Sequence, residues 1–244
     1  MVWDDLFAGM SAASFFNFSF LDSYWKYILL AVCYTLLLAV VSVALAIIPA
    51  LALAMMRLSK NRLVRGISGA YIALFRSTPL LVQLSIIYFG LFGAIKIPGT
   101  WQLLGFIPMS RFLPGVVALA LNSSAYVAEI FRGGILAVDV GQTEAARSLG
   151  LSSWQTMRLV VLPQAIKNVL PALANEIVTM VKESSICSTL GMAEIMFAAR
   201  TIASATYITL APYTVAAIVY FAINYPASKA IEAVERRMRR GDKR

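Results

Sequence analysis

A chain of 244 residues that is 60% hydrophobic and only 14% charged, with a mean hydropathy of +0.77, is far more apolar than an ordinary soluble domain, where about 45–50% is usual. Its class is therefore membrane, and one polytopic domain is the simplest organisation. The net charge of +9 raises nucleic acid as a partner until the basic residues are located, and with no histidine and only Cys33 and Cys187 as thiols no metal site is expected. Both cysteines read as packing residues.

The opening stretch "MVWDDLFAGM" carries Asp4 and Asp5 where a cleavable signal peptide would be basic, so the first span is expected to direct insertion itself. Residues 1–26, aromatic with polar residues interleaved, read as an extracytoplasmic segment at the membrane interface. Residues 27–56 hold no charge, and at about 1.5 Å per residue they can cross a hydrocarbon core of roughly 30 Å as a first span. A second uncharged run, 77–95, comes after Arg76, and Pro79 breaks or kinks its start. Pro98, Gly99, Gly105 and Pro108 make 97–110 a loop. Residues 112–128 give a third span that continues past Glu129, and 166–187 a fourth, interrupted by Glu176, Lys182 and Glu183. Residues 201–228 contain the fifth, where Tyr213, Tyr220 and Asn224 read as a packing or dimer stripe. The transmembrane domain is taken as 27–235, and 236–244 as a basic cytoplasmic tail.

Five spans put the termini on opposite sides, and the basic residues choose the side. With the C-terminus inside, the inner segments hold fifteen Lys and Arg, among them Arg57, Lys60, Arg62, Arg65 and the tail, against four outside: Lys26, Lys96, Arg111 and Arg200. The positive charge is thus a topology signal, which removes nucleic acid as the expected partner.

One polar stretch, 138–164, falls in the cytoplasm under that topology. Asp139 and Gln142 form a candidate capping pair for a helix over 142–149, and Gly150 closes it. A second helix opens at Ser152 with Gln155 at the reciprocal position. Trp154, Met157, Leu159 and Val161 supply its apolar surface, and Pro163 and Pro171 bend or end the helix beyond them. Helix rules alone make this a well-formed loop.

The spacing adds more. Glu144-Ala145-Ala146, three residues, Gly150, nine residues, then Val160-Val161-Leu162-Pro163 resembles the EAA loop of ABC importer permeases, departing only in Val160 where the pattern has Ile. "FRSTPLLVQL" at 75–84, "LALNSSAYVAEIFRGGI" at 119–135 and "VKESSICSTLGMAEI" at 181–195 are similar to segments of the polar amino-acid branch, with Ser77 replacing the usual glycine. The resemblance covers about residues 27–230 and implies an all-α integral membrane fold of the type I ABC importer kind, working as a dimer in the bacterial inner membrane. It implies that Glu144, Ala145, Ala146, Gly150 and Leu151 dock into a groove of an ATP-binding subunit that holds the ATP and magnesium. It further implies a second permease copy or homologue and an extracytoplasmic amino-acid-binding protein. This chain has no G-x-x-x-x-G-K-[ST] loop, so it is read as a non-catalytic transport subunit.

Charged groups at membrane depth are costly and mark function by default. Asn122, Tyr126 and Glu129 are spaced to share one helix face, as are Glu176, Thr179 and Glu183, while Arg76 and Gln83 share one only if Pro79 does not break the helix. With Thr78, Lys182, Ser184 and Ser185 they make up the candidate substrate path, carboxylates for an ammonium group and cations for a carboxylate. Glu129, with Arg132, reads equally as a structural bond to the coupling region. The competing function is a secondary transporter or channel using the buried carboxylates for ion coupling. No inverted repeat supports it, and it gives the capped hairpin no purpose. An intramembrane enzyme lacks its parts, Lys182 beside Ser184 and Ser185 being the nearest approach.

Overall fold

The computed structural model describes residues 17–95 and 97–241. The interfacial reading of 1–16, Lys96 and the last three residues of the tail lie outside the described residues.

Helix α1 (Leu21–Leu58) has 38 residues, about 57 Å at 1.5 Å per residue, so it starts earlier than expected and outruns the hydrocarbon core. Its inward face carries Ala31, Tyr34, Leu38, Ala39, Ala46, Ala50 and Ala54, small side chains for the most part, which let α4 (Met109–Leu136) lie close along it. Cys33 points outward from this helix, so only Cys187 joins the packed core as expected of both.

Next comes a helix that hydropathy did not reveal. α2 (Arg62–Ser77) is capped by Asn61, whose side chain accepts from the Leu63 and Val64 N–H groups. Pro79 then breaks the chain as expected, and α2 meets the next helix at 104°. α3 (Leu80–Ser85) continues through a π-helical turn at Ile86–Leu91 to Phe92–Ala94. The loop beyond contains a short antiparallel hairpin, β1 (Gln102–Leu103) with β2 (Ile107–Pro108), Gln102 facing Pro108, which the Gly and Pro pattern did not specify.

After α4 come α5 (Val140–Ser148), α6 (Ser153–Thr156), a π-helical turn at Met157–Val161 and α7 (Leu162–Glu183), which a 3₁₀ segment extends over Ser184–Leu190. The wide turn lets the chain pass Pro163 as a bend rather than an end, and Pro171 lies inside α7. The expected fifth span is divided: α8 (Ile195–Thr206) stops where Tyr207 turns left-handed at φ 58°, and α9 (Ala211–Gly241) carries helix into what was expected to be tail.

Leu21–Leu58 and Met109–Leu136 are each long and apolar enough to cross a membrane, and two bent pairs, Arg62–Ser77 with Leu80–Ala94 and Ser153–Leu190 with Ile195–Thr206, raise the count to four. α9 falls short of the apolar standard the others meet, since its first half carries Tyr213, Tyr220, Asn224, Tyr225 and Pro226.

The core runs between α1, α4 and α7, where Leu38, Val43, Leu119, Met180 and Cys187 are buried together. Near its C-terminal end α4 touches α7 through Gly134: a Cβ there would overlap Val169 Cγ2 and press on the Ala165 carbonyl. Gly134→Val should therefore destabilise the fold by about 1–3 kcal/mol. Gly133→Ala, whose Cβ meets nothing within 4 Å, should leave the thermal transition of the purified chain in place. Equal transitions for both would contradict this packing.

Candidate functional site: a polar hairpin and two polar cavities

The polar hairpin is built by its caps. Asp139 accepts from the Gly141 N–H at 2.6 Å and caps α5, although Gln142 makes no reciprocal side-chain bond to it. At the other end the Gly150 N–H reaches the Arg147 carbonyl at 3.0 Å and the Leu151 N–H reaches the Ala146 carbonyl at 3.2 Å, a Schellman closure with Gly150 at φ +83°. Arg147 donates from Nη1 to the Leu151 carbonyl at 2.8 Å and ties the corner again. Ser152 and Gln155 form the full reciprocal capping box, with bonds of 3.2 and 2.8 Å. The outer surface shows Glu144, Ala145, Gly150 and Leu149, the last 83% exposed. Ala146 departs from the expected docking set: it is 4% exposed and faces inward, so its small size serves packing within the hairpin.

The second feature is the break at Pro79. Proline has no N–H for the carbonyl four residues earlier, which here is that of Phe75. Gln83 turns back to supply the donor: its Nε2 lies 2.8 Å from Phe75 O, 3.0 Å from Thr78 O and 2.8 Å from Thr78 Oγ1. Its Oε1 accepts from Asn122 Nδ2 at 2.9 Å, which links the break to α4. Thr78, Gln83 and Asn122 are thus brought together, as a brace on the backbone. Arg76 and Gln83 do not share a face, because the 104° bend separates their helices.

One turn along α4, the Arg76 guanidinium lies 5.3 Å from the centroid of the Tyr126 ring. One turn further, Glu129 accepts from Arg132 Nη2 at 2.7 Å and stands 3.7 Å from Arg57 Nε. Asn122, Tyr126 and Glu129 thus follow one another along one face of α4, each with its own partner, and Tyr126 and Glu129 line a cavity of about 470 Å³ with Arg57, Arg76 and Ser77. Arg57, at the end of α1, was not legible as a member, since nothing in the sequence relates it to Glu129.

The groups on α7 do not join this cavity. Glu176 is buried and accepts from Ser123 Oγ at 2.8 Å, a bond between α4 and α7. Ser184 is buried and donates to the Val181 carbonyl at 2.8 Å, finishing its helix. Glu183 is half-buried and, among the described residues, makes no hydrogen bond or ion pair. Lys182 and Ser185 line a separate cavity of about 470 Å³ with Ser188, Arg200 and Tyr220. The candidate path residues thus fall at two separate cavities, and Glu176 lines neither.

Sequence reasoning passed over Glu194. It is fully buried, caps α8 by accepting from the Met196 and Phe197 N–H groups at 2.9 and 2.6 Å, and accepts from Tyr220 Oη at 2.8 Å. A carboxylate just ahead of the apolar run "IMFAA" was the available cap signal. Tyr220, read as part of a packing stripe, packs against the core and also ties α9 to α8 through this bond.

A long inward-packed helix pair, a bent basic helix and a doubly capped polar hairpin are the parts of a membrane protein, and its similarity to known proteins makes it a transport component. The family model described as binding-protein-dependent transport system inner membrane component matches residues 42–240, and the chain belongs to that family. It is similar to the arginine transport system permease protein ArtQ of Bacillus subtilis, 40% identical over 88% of this chain and 94% of the relative. It is also similar to the nopaline transport system permease protein NocM of Agrobacterium fabrum, 38% identical over 85% and 86%. A solved structure described as an amino acid ABC transporter with histidines superposes with a TM-score of 0.82 at 41% identity, over 93% of this chain and all of that one.

Proposed function

We propose that the chain is the membrane-spanning permease subunit of an ATP-driven importer of polar amino acids in the bacterial inner membrane. Its five spans are α1, α3, α4, α7 and α9, with the N-terminus outside and the C-terminus cytoplasmic. ATP and magnesium belong to a partner ATP-binding subunit, two copies of which drive a permease dimer between inward-facing and outward-facing states, and an extracytoplasmic binding protein delivers the cargo. The observation that carries this reading is the doubly capped hairpin, which presents Glu144, Ala145 and Leu149 outward from a corner held by Gly150. The relatives named for arginine and nopaline transport support the substrate class.

The substrate path then passes Lys182, Glu183 and Ser185 on the outer side and Arg76, Tyr126 and Glu129 on the inner side, with Thr78, Gln83, Asn122, Glu176 and Ser184 as its frame. Glu183 is the leading contact for the α-ammonium group, because a half-buried carboxylate that makes no hydrogen bond or ion pair among the described residues is costly until a cation arrives. Glu183→Ala should raise the half-saturating substrate concentration about tenfold or more, the worth of one charge-assisted bond, without loss of co-purification with the ATP-binding subunit. Unchanged affinity would remove Glu183 from the path.

Proteoliposomes holding the assembled complex test the whole reading: uptake of radiolabelled polar amino acids should require ATP on the hairpin side. Uptake driven by an ion gradient, with no ATP-binding subunit present, would put a secondary transporter in its place.

A further inference from the structure

We propose that α2 with the preceding turn is a platform for anionic phospholipid headgroups of the inner leaflet, on the orientation given above. The helix has three distinct sides. Val64, Ser68, Tyr71, Ile72 and Phe75 turn toward the protein, Ser68 donating to the Leu53 carbonyl at 2.8 Å and Tyr71 to the Leu121 carbonyl at 3.0 Å. Leu63, Ile67 and Leu74, at i, i+4 and i+11, form a stripe that is 72%, 56% and 59% exposed. Arg62 and Arg65 stand on the remaining side, with Lys60 just before the helix, all largely exposed.

Solvated charge alone does not account for this helix, because water would cover three large apolar side chains. A second copy of the chain is a poor occupant: a two-fold contact would place one basic side against its twin, and residues 57–77 contain five cations and no carboxylate. Among the described residues Lys60, Arg62 and Arg65 form no ion pair, while Arg57 is engaged by Glu129. An apolar stripe bordered by unpaired cations fits the boundary between acyl chains and acidic headgroups, where each Lys or Arg adds to the attraction. α2 also leads straight into the braced bend at Pro79, so the lipid that seats it steadies the helix bearing Arg76.

The test uses the permease with its ATP-binding subunit in nanodiscs of phosphatidylcholine containing either no phosphatidylglycerol or about a third. Substrate-stimulated ATP hydrolysis by the unaltered complex should fall roughly tenfold without phosphatidylglycerol, and this lipid should stay attached in native mass spectra. K60Q/R62Q/R65Q should lose both the dependence and the attached lipid; R62K/R65K, which keeps the charge, should retain both. A triple variant with the same phosphatidylglycerol dependence as the unaltered complex would overturn the proposal. So would loss of the ATP-binding subunit from the triple variant, which would make α2 a protein interface.

Discussion

Gly150→Val is expected to abolish ATP-driven uptake while the chain still inserts and the ATP-binding subunit still folds. Gly150 sits at φ +83°, where a β-branched residue is strained by about 1–3 kcal/mol. Space is not the obstacle, since a Cβ at 150 meets nothing within 4 Å. The strain falls on the Schellman closure itself, so the two bonds from Gly150 and Leu151 back to Arg147 and Ala146 open and the corner loses its shape. The proposed coupling needs a hairpin that keeps its shape, and the capping box on its far arm holds nothing once the corner is loose. Glu144→Lys should give the same loss by a different route, reversing the charge on the exposed face while leaving the hairpin folded. Uptake at the unaltered rate by both variants would end the coupling assignment.

Gln83→Leu should lower both stability and transport. It removes the donor that replaces the missing N–H of Pro79 and the acceptor that holds Asn122. The Phe75 carbonyl and the Asn122 amide then keep only their mutual contact at 3.4 Å, and the loss should cost about 1–3 kcal/mol. With the brace gone, the 104° bend that places Arg76 over Tyr126 keeps only the Thr78 hydroxyl bond to the Leu74 carbonyl and the longer Asn122 contact with Phe75. Asn122→Ala should be milder, because Gln83 keeps its bonds to Phe75 and Thr78. A thermal transition and uptake by Gln83→Leu equal to those of the unaltered chain would show that the bend needs no side-chain brace.

Local physics was the legible part of the fold. Ser152 with Gln155, Asp139 ahead of α5 and Gly150 behind it act within a few residues, so their caps could be read from spacing. Uncharged runs located α1 and α4 for the same reason. α2 escaped because its apolar residues alternate with Arg, Gly and Ser at the helical period, and a search for uncharged runs discards such a pattern. The break at Tyr207 escaped because no Gly or Pro marks it. At the site, one-face spacing put Asn122, Tyr126 and Glu129 together, but their partners Gln83, Arg76 and Arg57 come from other helices across the bend. Contacts of that range depend on the fold. The inward turn of Ala146 had the same origin: within a docking motif, the sequence does not say which alanine faces the partner.

That this chain couples amino-acid passage to a separate motor is read out by ATP hydrolysis in the complex assembled with its ATP-binding subunit and binding protein. Each of the twenty amino acids is supplied in turn. One or a few polar amino acids should stimulate hydrolysis several-fold, and Glu144→Lys should remove the stimulation. Hydrolysis indifferent to all twenty, or equally stimulated in the Glu144→Lys complex, would contradict the claim.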